Sequence, residues 1–221
     1  MGGFKRSSNN EIGKQNLFDL IISHIAQCCK KMQEDCKTTG QKLYNHEDKI
    51  SNRLVERYLD LNILGIRFTL QNPEHYDFET DTYMGRTDIK VMSSDWFNSR
   101  DAYYTIECKR LDGKTHLNKE YICEGISRFV LPSVPKYSSY YRKNIMLGYI
   151  VQTIDASGNV RNIDELQRKL LVNVKIAEMK FICDDGKGFS HYQCLYQVND
   201  NLNVELTHLF HDFSSVMCKD K

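Results

Sequence analysis

The sequence predicts an α/β fold, in which a mixed β-sheet is flanked by helices and preceded by an N-terminal helical extension. Apolar residues first recur at steps of three and four, as on one face of a helix, and later alternate with a period of two, as in strands. Helical segments then return between and after the strands, which is the pattern of a layered α/β or α+β domain. We therefore place the extension at residues 1–45 and the domain at residues 46–221.

The extension is predicted to form one long helix over residues 11–37, with Asn10 as its N-cap. A single apolar stripe runs along this helix, formed by Phe18, Ile22, Ile25, Cys29, Met32 and Cys36. Such a stripe packs either on the core of its own chain or on a second copy of the chain, and the sequence leaves both alternatives open. Gly40 marks the break that follows.

A second helix is predicted over residues 46–62, and Gly65 marks its end. Its apolar seam consists of Ile50, Leu54, Tyr58 and Leu61. Glu56 lies off that seam but beside Leu59, at the edge of the buried face. This position gives the helix one carboxylate that we expect to point toward a cleft.

Beyond the second helix, the period-two pattern predicts strands over residues 66–70, 84–92 and 102–111, with an irregular stretch around Pro73. The polar segment 93–101 predicts a hairpin between the last two of them. The remaining predicted elements are helices over 118–130 and 163–174 and strands over 145–154, 192–198 and 204–213.

Composition narrows the class of protein. A chain of 221 residues, 41% of them hydrophobic, buries one core of ordinary size. The net charge of +1 is low for a protein that binds phosphates alone, although catalytic carboxylates would offset a basic rim. The eight cysteines contain no CxxC pair, which argues against a zinc knuckle and favours a reduced, cytoplasmic protein. No apolar run reaches the ~18 residues of a membrane span, so we expect no membrane partner.

The most informative residues lie in the two strands of the predicted hairpin. Alternation puts Asp88 on one face of the first strand, and Glu107 and Lys109 on the same face of the second. The hairpin places Asp88 across from Glu107, within ~5 Å. Facing carboxylates destabilise a sheet unless a cation lies between them, and oxygen ligands suit Mg²⁺, for which Mn²⁺ can substitute. Lys109 projects to the same side, where it can orient water or stabilise charge on a phosphate.

The order of these residues resembles the core of the PD-(D/E)XK, or restriction-endonuclease-like, superfamily. A helix with Glu56 precedes a strand with Asp88, which is followed by a strand with Glu107 and Lys109 and then by a helix. Thr87 stands where the family has the proline of its name, a departure that is common. The resemblance covers roughly the first two thirds of the predicted domain, and it implies the restriction-endonuclease-like version of the α/β fold.

The resemblance also implies a set of site residues. It implies four metal-binding groups: the carboxylates of Asp88, Glu107 and Glu56, the last direct or through water, and the carbonyl of Cys108. It implies four catalytic residues: Glu56, Asp88, Glu107 and Lys109. In this family the bound metal is Mg²⁺, and a phosphodiester is cut so that the 5′-phosphate stays on the product.

The function implied is hydrolysis of nucleic acid, DNA in the first place, in a setting such as bacterial or phage genome defence. A homodimer or a larger defence complex is the kind of assembly that would select the target. The alternative is a catalytically inactive module with the same fold that binds nucleic acid or assembles a larger complex. The intact set of carboxylates and lysine favours the enzyme over the module.

Two weaker features leave their roles open. Glu120, Glu124 and Arg128 lie on the helix after the Glu-x-Lys strand, where they either border the cleft or form surface ion pairs. The segment 136–143 interleaves basic and aromatic residues, as a loop that binds single strands does, but an ordinary polar loop has the same composition.

Overall fold

The computed structural model describes residues 7–60, 65–93, 99, 101–130, 137 and 141–218, and within these ranges it does not describe the side chains of residues 7–16, 74, 75 and 84. The helices are α1 (Ser7–Thr39), α2 (Glu47–Leu54), α3 (Thr115–Tyr121), α4 (Ser127–Val130) and α5 (Ala156–Leu170). A π-helical turn over Val55–Leu59 extends α2, and a second one over Ile122–Ile126 joins α3 to α4. A 3₁₀ turn over Ser214–Val216 follows the last strand.

Within the described residues, one mixed sheet contains all the strands. They are β1 (Arg67–Asp77), β2 (Thr82–Met92), β3 (Tyr103–Leu111), β4 (Lys143–Ile150), β5 (Lys175–Ile176), β6 (Lys180–Asp184), β7 (Phe189–Asn199) and β8 (Leu202–Asp212). The order across the sheet is β1-β2-β3-β4-β8-β7-β5, and β6 also pairs with β7. β4 is parallel to both β3 and β8, and every other pair is antiparallel. The mixed α/β class expected from the sequence is confirmed.

The apolar stripe of α1 packs on the sheet of its own chain. Phe18, Ile25 and Met32 are buried in the same hydrophobic cluster as Ile106 of β3 and Leu147 of β4. The intramolecular alternative for this helix is therefore the one that the structure shows. The residues just after the helix are tied to the domain as well, because the backbone around position 43 bonds to the chain near position 216.

The two faces of the sheet carry separate cores. One face packs on α1 and α2 and includes Ile106 and Cys108, while the other packs on α3, α4 and α5 and includes Leu111 and Met146. Strand alternation explains the division, since neighbouring residues of β3 point to opposite faces. Glu107 and Lys109 therefore point to the face that α3 and α4 cover.

Several boundaries differ from those predicted. β1 continues through Pro73, because the strand lies at the edge of the sheet, where a missing N–H breaks no ladder. α5 begins earlier than expected, at Ala156, and the short, exposed strands β5 and β6 carry no apolar alternation that would reveal them. The predicted helix end at residue 62 and the centre of the hairpin loop, residues 94–98, lie outside the described residues.

Two expectations drawn from composition concern the whole chain. All eight cysteines belong to the part of the chain that the structure describes, and all are free thiols, five of them buried. Among the described residues, no helix combines the length and the apolar character that crossing a membrane requires.

Candidate active site

The ladder between β2 and β3 brings Asp88 to Glu107. The last pair of that ladder is Ile89 with Ile106, and Asp88 and Glu107 are the next positions along the two strands. Beyond this point the two strands separate. The backbone N–H of Cys108 then has no strand partner in the ladder and donates instead to Oδ2 of Asp88, at 2.7 Å. Asp88 thus lies where β2 and β3 separate.

Lys109 lies at the centre of the site. Its ammonium contacts Oε1 of Glu107 and Oε1 of Glu47, each at 2.9 Å, and lies 4.0 Å from Oδ2 of Asp88. It also donates to the carbonyl of Cys108, at 2.9 Å. Burial alone lowers the pKa of Lys109, but the carboxylates of Glu107, Glu47 and Asp88 together raise it above its ordinary value. Lys109 therefore carries a proton in this arrangement at neutral pH.

Glu107 is completely buried, at 0% exposure, and both of its oxygens accept hydrogen bonds. Nη1 of Arg128 lies 2.8 Å from Oε1, the atom that Lys109 also contacts. The hydroxyl of Tyr137 donates to Oε2, at 2.7 Å. This hydroxyl also lies 2.8 Å from the carbonyl of Arg86 on β2, so Tyr137 bridges the two strands where they separate.

The structure does not bring Glu56 into this group. Its side chain is exposed in the π-helical turn after α2, and it does not line the cavities around Asp88 and Lys109. The carboxylate that α2 contributes is Glu47, in the first turn of the helix, followed by Asp48. Glu47 precedes Glu56 by roughly 13 Å of helix axis, which is why only one of them reaches Lys109. The expectation that Glu56 points into the site is thus corrected to Glu47.

A signal for Glu47 is present in the sequence. Acidic residues in the first turn of a helix are stabilised by the unpaired N–H groups at that end, so Glu47 and Asp48 mark the N-terminus of α2. That end of the helix lies beside Lys109 of β3, where β2 and β3 separate. Glu56, at the edge of the apolar seam, is exposed instead. The sequence-based choice of Glu56 relied on the seam alone.

The separation of β2 and β3 opens a cavity of about 290 Å³. Its lining residues are Glu47, Asp48, Gly85, Arg86, Asp88, Lys109, Arg128 and Tyr137. A second cavity of about 360 Å³ lies next to it and shares four lining residues with the first: Glu47, Asp48, Lys109 and Arg128. Together they form an open, polar cleft in which carboxylates and basic groups alternate.

The carboxylates in this cleft hold their negative charge at an energetic cost. Burial, with repulsion by Asp88 second, raises the pKa of Glu107 to about 7, despite the nearby Lys109 and Arg128. Burial also raises the pKa of Asp88 and that of Glu47 above their ordinary values. Additional positive charge between these groups would offset the cost and lower all three pKa values.

The donor chemistry of the cleft fits a divalent cation of the Mg²⁺ type. Asp88, Glu107, Glu47 and the carbonyl of Cys108 offer the hard oxygen atoms that such ions prefer. Within the described part of the chain, however, no three His, Cys, Asp or Glu side chains already form a metal-binding group. The reason is visible at Glu107, whose oxygens are occupied by Lys109, Arg128 and Tyr137. A metal that binds Oε1 of Glu107 would have to displace Lys109 or Arg128, since this atom already has two donors.

Comparison with protein-family models, with curated proteins and with solved structures gives no match for this chain. The chain is a mixed α/β domain in which two antiparallel strands separate around one buried and two partly buried carboxylates that surround Lys109. The helix before the strands supplies one of those carboxylates, and the helical segment after them supplies Arg128.

Proposed function

We propose that this chain is a divalent-metal-dependent nuclease of the PD-(D/E)XK kind, which hydrolyses phosphodiester bonds in DNA. The observation that carries the proposal is the convergence of Asp88, Glu107 and Lys109 at the point where β2 and β3 separate. Each of these residues was selected from the sequence by its place in a strand. Their side chains share one cleft with Glu47, a carboxylate from the preceding helix.

The topology supports the same proposal. The chain passes from α2 through the antiparallel strands β1, β2 and β3, then through α3 to β4, which lies parallel to β3. The order of helix, two motif-bearing strands and helix is the order on which the resemblance to the family rests. A fold supports many functions, however, so the proposal depends on the side chains of the cleft rather than on the topology.

The residues of the cleft have separable roles. Asp88, Glu107 and the Cys108 carbonyl would hold the metal, with Glu47 in the role expected of Glu56. When bound, the metal would neutralise charge on the phosphate and lower the pKa of a bound water. Lys109 keeps its proton and directs N–H donors at the same region, so it can orient the attacking water or a phosphate oxygen. Because Lys109 is not itself a ligand, its loss should leave metal binding intact.

The alternative function is a catalytically inactive module that uses the same cleft for binding or assembly. One observation favours it: without any metal, both oxygens of the buried Glu107 already have donors. A self-sufficient network of ion pairs is what a purely structural cluster would contain. The two functions differ in whether divalent metal binds at Asp88 and Glu107.

A cleavage assay tests the proposal. Supercoiled plasmid and linear DNA are incubated with the protein in Mg²⁺, in Mn²⁺ and in EDTA, and the products are resolved on gels. We expect cleavage in the two metals, none in EDTA and none with Lys109→Ala. Lys180→Ala, which removes an exposed lysine from β6, is the matched control and should cut like the wild type.

A metal-binding measurement accompanies the assay. We expect Mg²⁺ or Mn²⁺ to raise the melting temperature of the wild type and of Lys109→Ala, but not that of Asp88→Asn. Cleavage by Lys109→Ala at the wild-type rate would remove the catalytic assignment of the lysine. A wild-type protein that neither cuts nor gains stability from metal would support the inactive module. Target choice and a homodimer or larger defence complex stay predictions from the resemblance, and a cytoplasmic location stays a prediction from the cysteine content.

A further inference from the structure

Arg128 occupies a place in the cleft that a bound metal would also need. Its Nη1 donates to Oε1 of Glu107, at 2.8 Å, and also to the hydroxyl of Tyr137. On the outer side, its Nη2 lies 3.8 Å from Oε2 of Glu124, one helical turn earlier. Arg128 thus connects the buried carboxylate at the bottom of the cleft to an exposed carboxylate at its rim.

Of the two cations that contact Glu107, Arg128 is the one that can leave. The side chain of Lys109 is 8% exposed and holds contacts to Glu107, Glu47 and the Cys108 carbonyl, so its movement would break all of them. The side chain of Arg128 is 26% exposed, and Glu124, which is 62% exposed, offers a second partner outside the cluster. Departure of Arg128 opens one of the two contacts on Oε1 of Glu107, while Lys109 keeps the other, so neither charge is left unpaired.

Arg128 also lines both of the cavities that form the cleft. A guanidinium that leaves Glu107 therefore stays within reach of whatever fills the cleft. Its planar arrangement of donors matches two oxygens of a phosphate, which is a geometry that a lysine ammonium does not provide.

We propose that Arg128 is an exchangeable clamp: it occupies the cation position at Glu107 in the metal-free protein and, when a divalent ion takes that position, binds the backbone phosphate of the substrate. The phosphate half of this inference rests on the proposed nuclease function, whereas the metal half does not. No covalent step is involved, since one ion pair, between Arg128 and Glu107, is exchanged for another between Arg128 and a phosphate.

The metal half is tested by Mn²⁺ titration in a calorimeter, without nucleic acid. Arg128→Gln removes the competing charge, and we expect it to bind Mn²⁺ roughly tenfold more tightly than the wild type. Arg161→Gln makes the same charge change at an exposed position on α5 and should leave the affinity unchanged. Arg128→Lys retains the charge and the fold, and we expect its affinity to stay within about threefold of wild type. Equal Mn²⁺ affinity of Arg128→Gln and wild type would overturn the metal half.

The phosphate half is tested by fluorescence anisotropy with a labelled DNA duplex in Ca²⁺, over a range of salt concentrations. We expect Arg128→Gln and Arg128→Lys to bind DNA about tenfold or more weakly. For Arg128→Gln, the slope of log affinity against log salt should fall by about one, as for the loss of one phosphate contact. If the wild type binds DNA and both variants bind it equally well, the clamp is refuted. If the wild type binds Mn²⁺ but no DNA, the proposed function is refuted instead.

Discussion

The backbone N–H of Cys108 donates a 2.7 Å hydrogen bond to Oδ2 of Asp88, at the position where the ladder between their strands has just ended. The carboxylate thus replaces the carbonyl that a continued strand would offer. This substitution lets β2 diverge from β3 without leaving a buried donor unpaired. The cleft, the carboxylates that line it and Lys109 all lie at the resulting gap.

The double role of Asp88 predicts a difference between two substitutions. Asp88→Asn keeps a side-chain oxygen for the Cys108 N–H and removes a charge whose burial is unfavourable, so we expect it to be at least as stable as wild type. Asp88→Ala leaves that N–H without an acceptor and should lower the free energy of unfolding by ~1–3 kcal/mol. Urea unfolding of the three proteins measures the difference. Equal free energies of unfolding for Asp88→Asn and Asp88→Ala would contradict the role of Asp88 as the acceptor for the Cys108 N–H.

The ion pair of Glu107 and Lys109 should behave as one unit. Loss of either partner alone removes a charged contact from a buried site, although Arg128 still faces Glu107 and Glu47 still faces Lys109, and we expect Glu107→Gln or Lys109→Met to cost about 1.5–3 kcal/mol each. The double variant should cost less than the sum, by more than ~1 kcal/mol. The matched control is the exposed pair of Asp155 and Arg161 at the start of α5, for which we expect a coupling of ~0.5 kcal/mol or less. Additive losses at Glu107 and Lys109 would show that the contact contributes little.

The choice between the two helix carboxylates can be decided directly. Glu47→Gln removes an oxygen donor that contacts Lys109, so we expect it to reduce the rise in melting temperature with Mn²⁺ by at least half and to slow cleavage at least tenfold. Glu56→Gln makes the same change at an exposed position of the same helical segment and should behave like wild type. Thermal melts with and without Mn²⁺ provide the measurement. The reverse result would restore the original assignment of Glu56.

The buried histidine of β8 predicts a pH dependence of stability. His208 is fully buried between the hydroxyls of Tyr121 and Tyr196, and burial lowers its pKa from 6.5 to about 3. Between these values the unfolded chain takes up a proton that the folded chain does not, so the folded state loses stability as the pH falls. We expect His208→Gln to lack this loss and to gain about 1–2 kcal/mol relative to wild type between pH 7 and pH 5.

Comparison of the wild type with His208→Gln isolates the contribution of His208 to the pH dependence of stability, because the carboxylates titrate alike in both proteins. The raised pKa values of Glu107 and Asp88 act with the opposite sign in the same range of pH, since the folded chain there binds the extra proton. Urea unfolding at pH 5, 6 and 7 gives the required values. A difference between the chains that does not change with pH would show that the pKa of His208 is the same in the folded and the unfolded chain.

The strand part of the site could be predicted because strand geometry is simple. A period of two fixes which side chains share a face, so Asp88, Glu107 and Lys109 were found from the sequence and lie together in the structure. Their faces are set by local geometry and by one short connection. The buried face of the long N-terminal helix could be predicted for the same reason, since its apolar stripe follows the helical period throughout.

The helical part of the site could not be predicted in this way. Which carboxylate of α2 reaches the cleft depends on how far along the sheet the helix packs, and the period of its seam contains no such information. Arg128 contacts Glu107 from a position that follows a π-helical turn, which alters the spacing of residues along the chain. Tyr137 contacts Glu107 from outside any helix or strand, where no regular period applies. The sequence therefore left open whether Arg128 borders the cleft or forms a surface ion pair, and it does both.

The π-helical turn between α3 and α4 has a consequence for variation in length. Such a turn takes up one residue more than an α-helical turn, so regular α-helical winding of the same residues would rotate everything after them by about 100°. Arg128 would then face away from Glu107, although every residue of the cleft would still be present in the chain. Loss of one residue here, by contrast, lets the segment wind regularly with nearly the same total rotation, so it is a smaller change than the same loss inside α3 or α5. The length of this segment, as much as its composition, determines where the guanidinium lies.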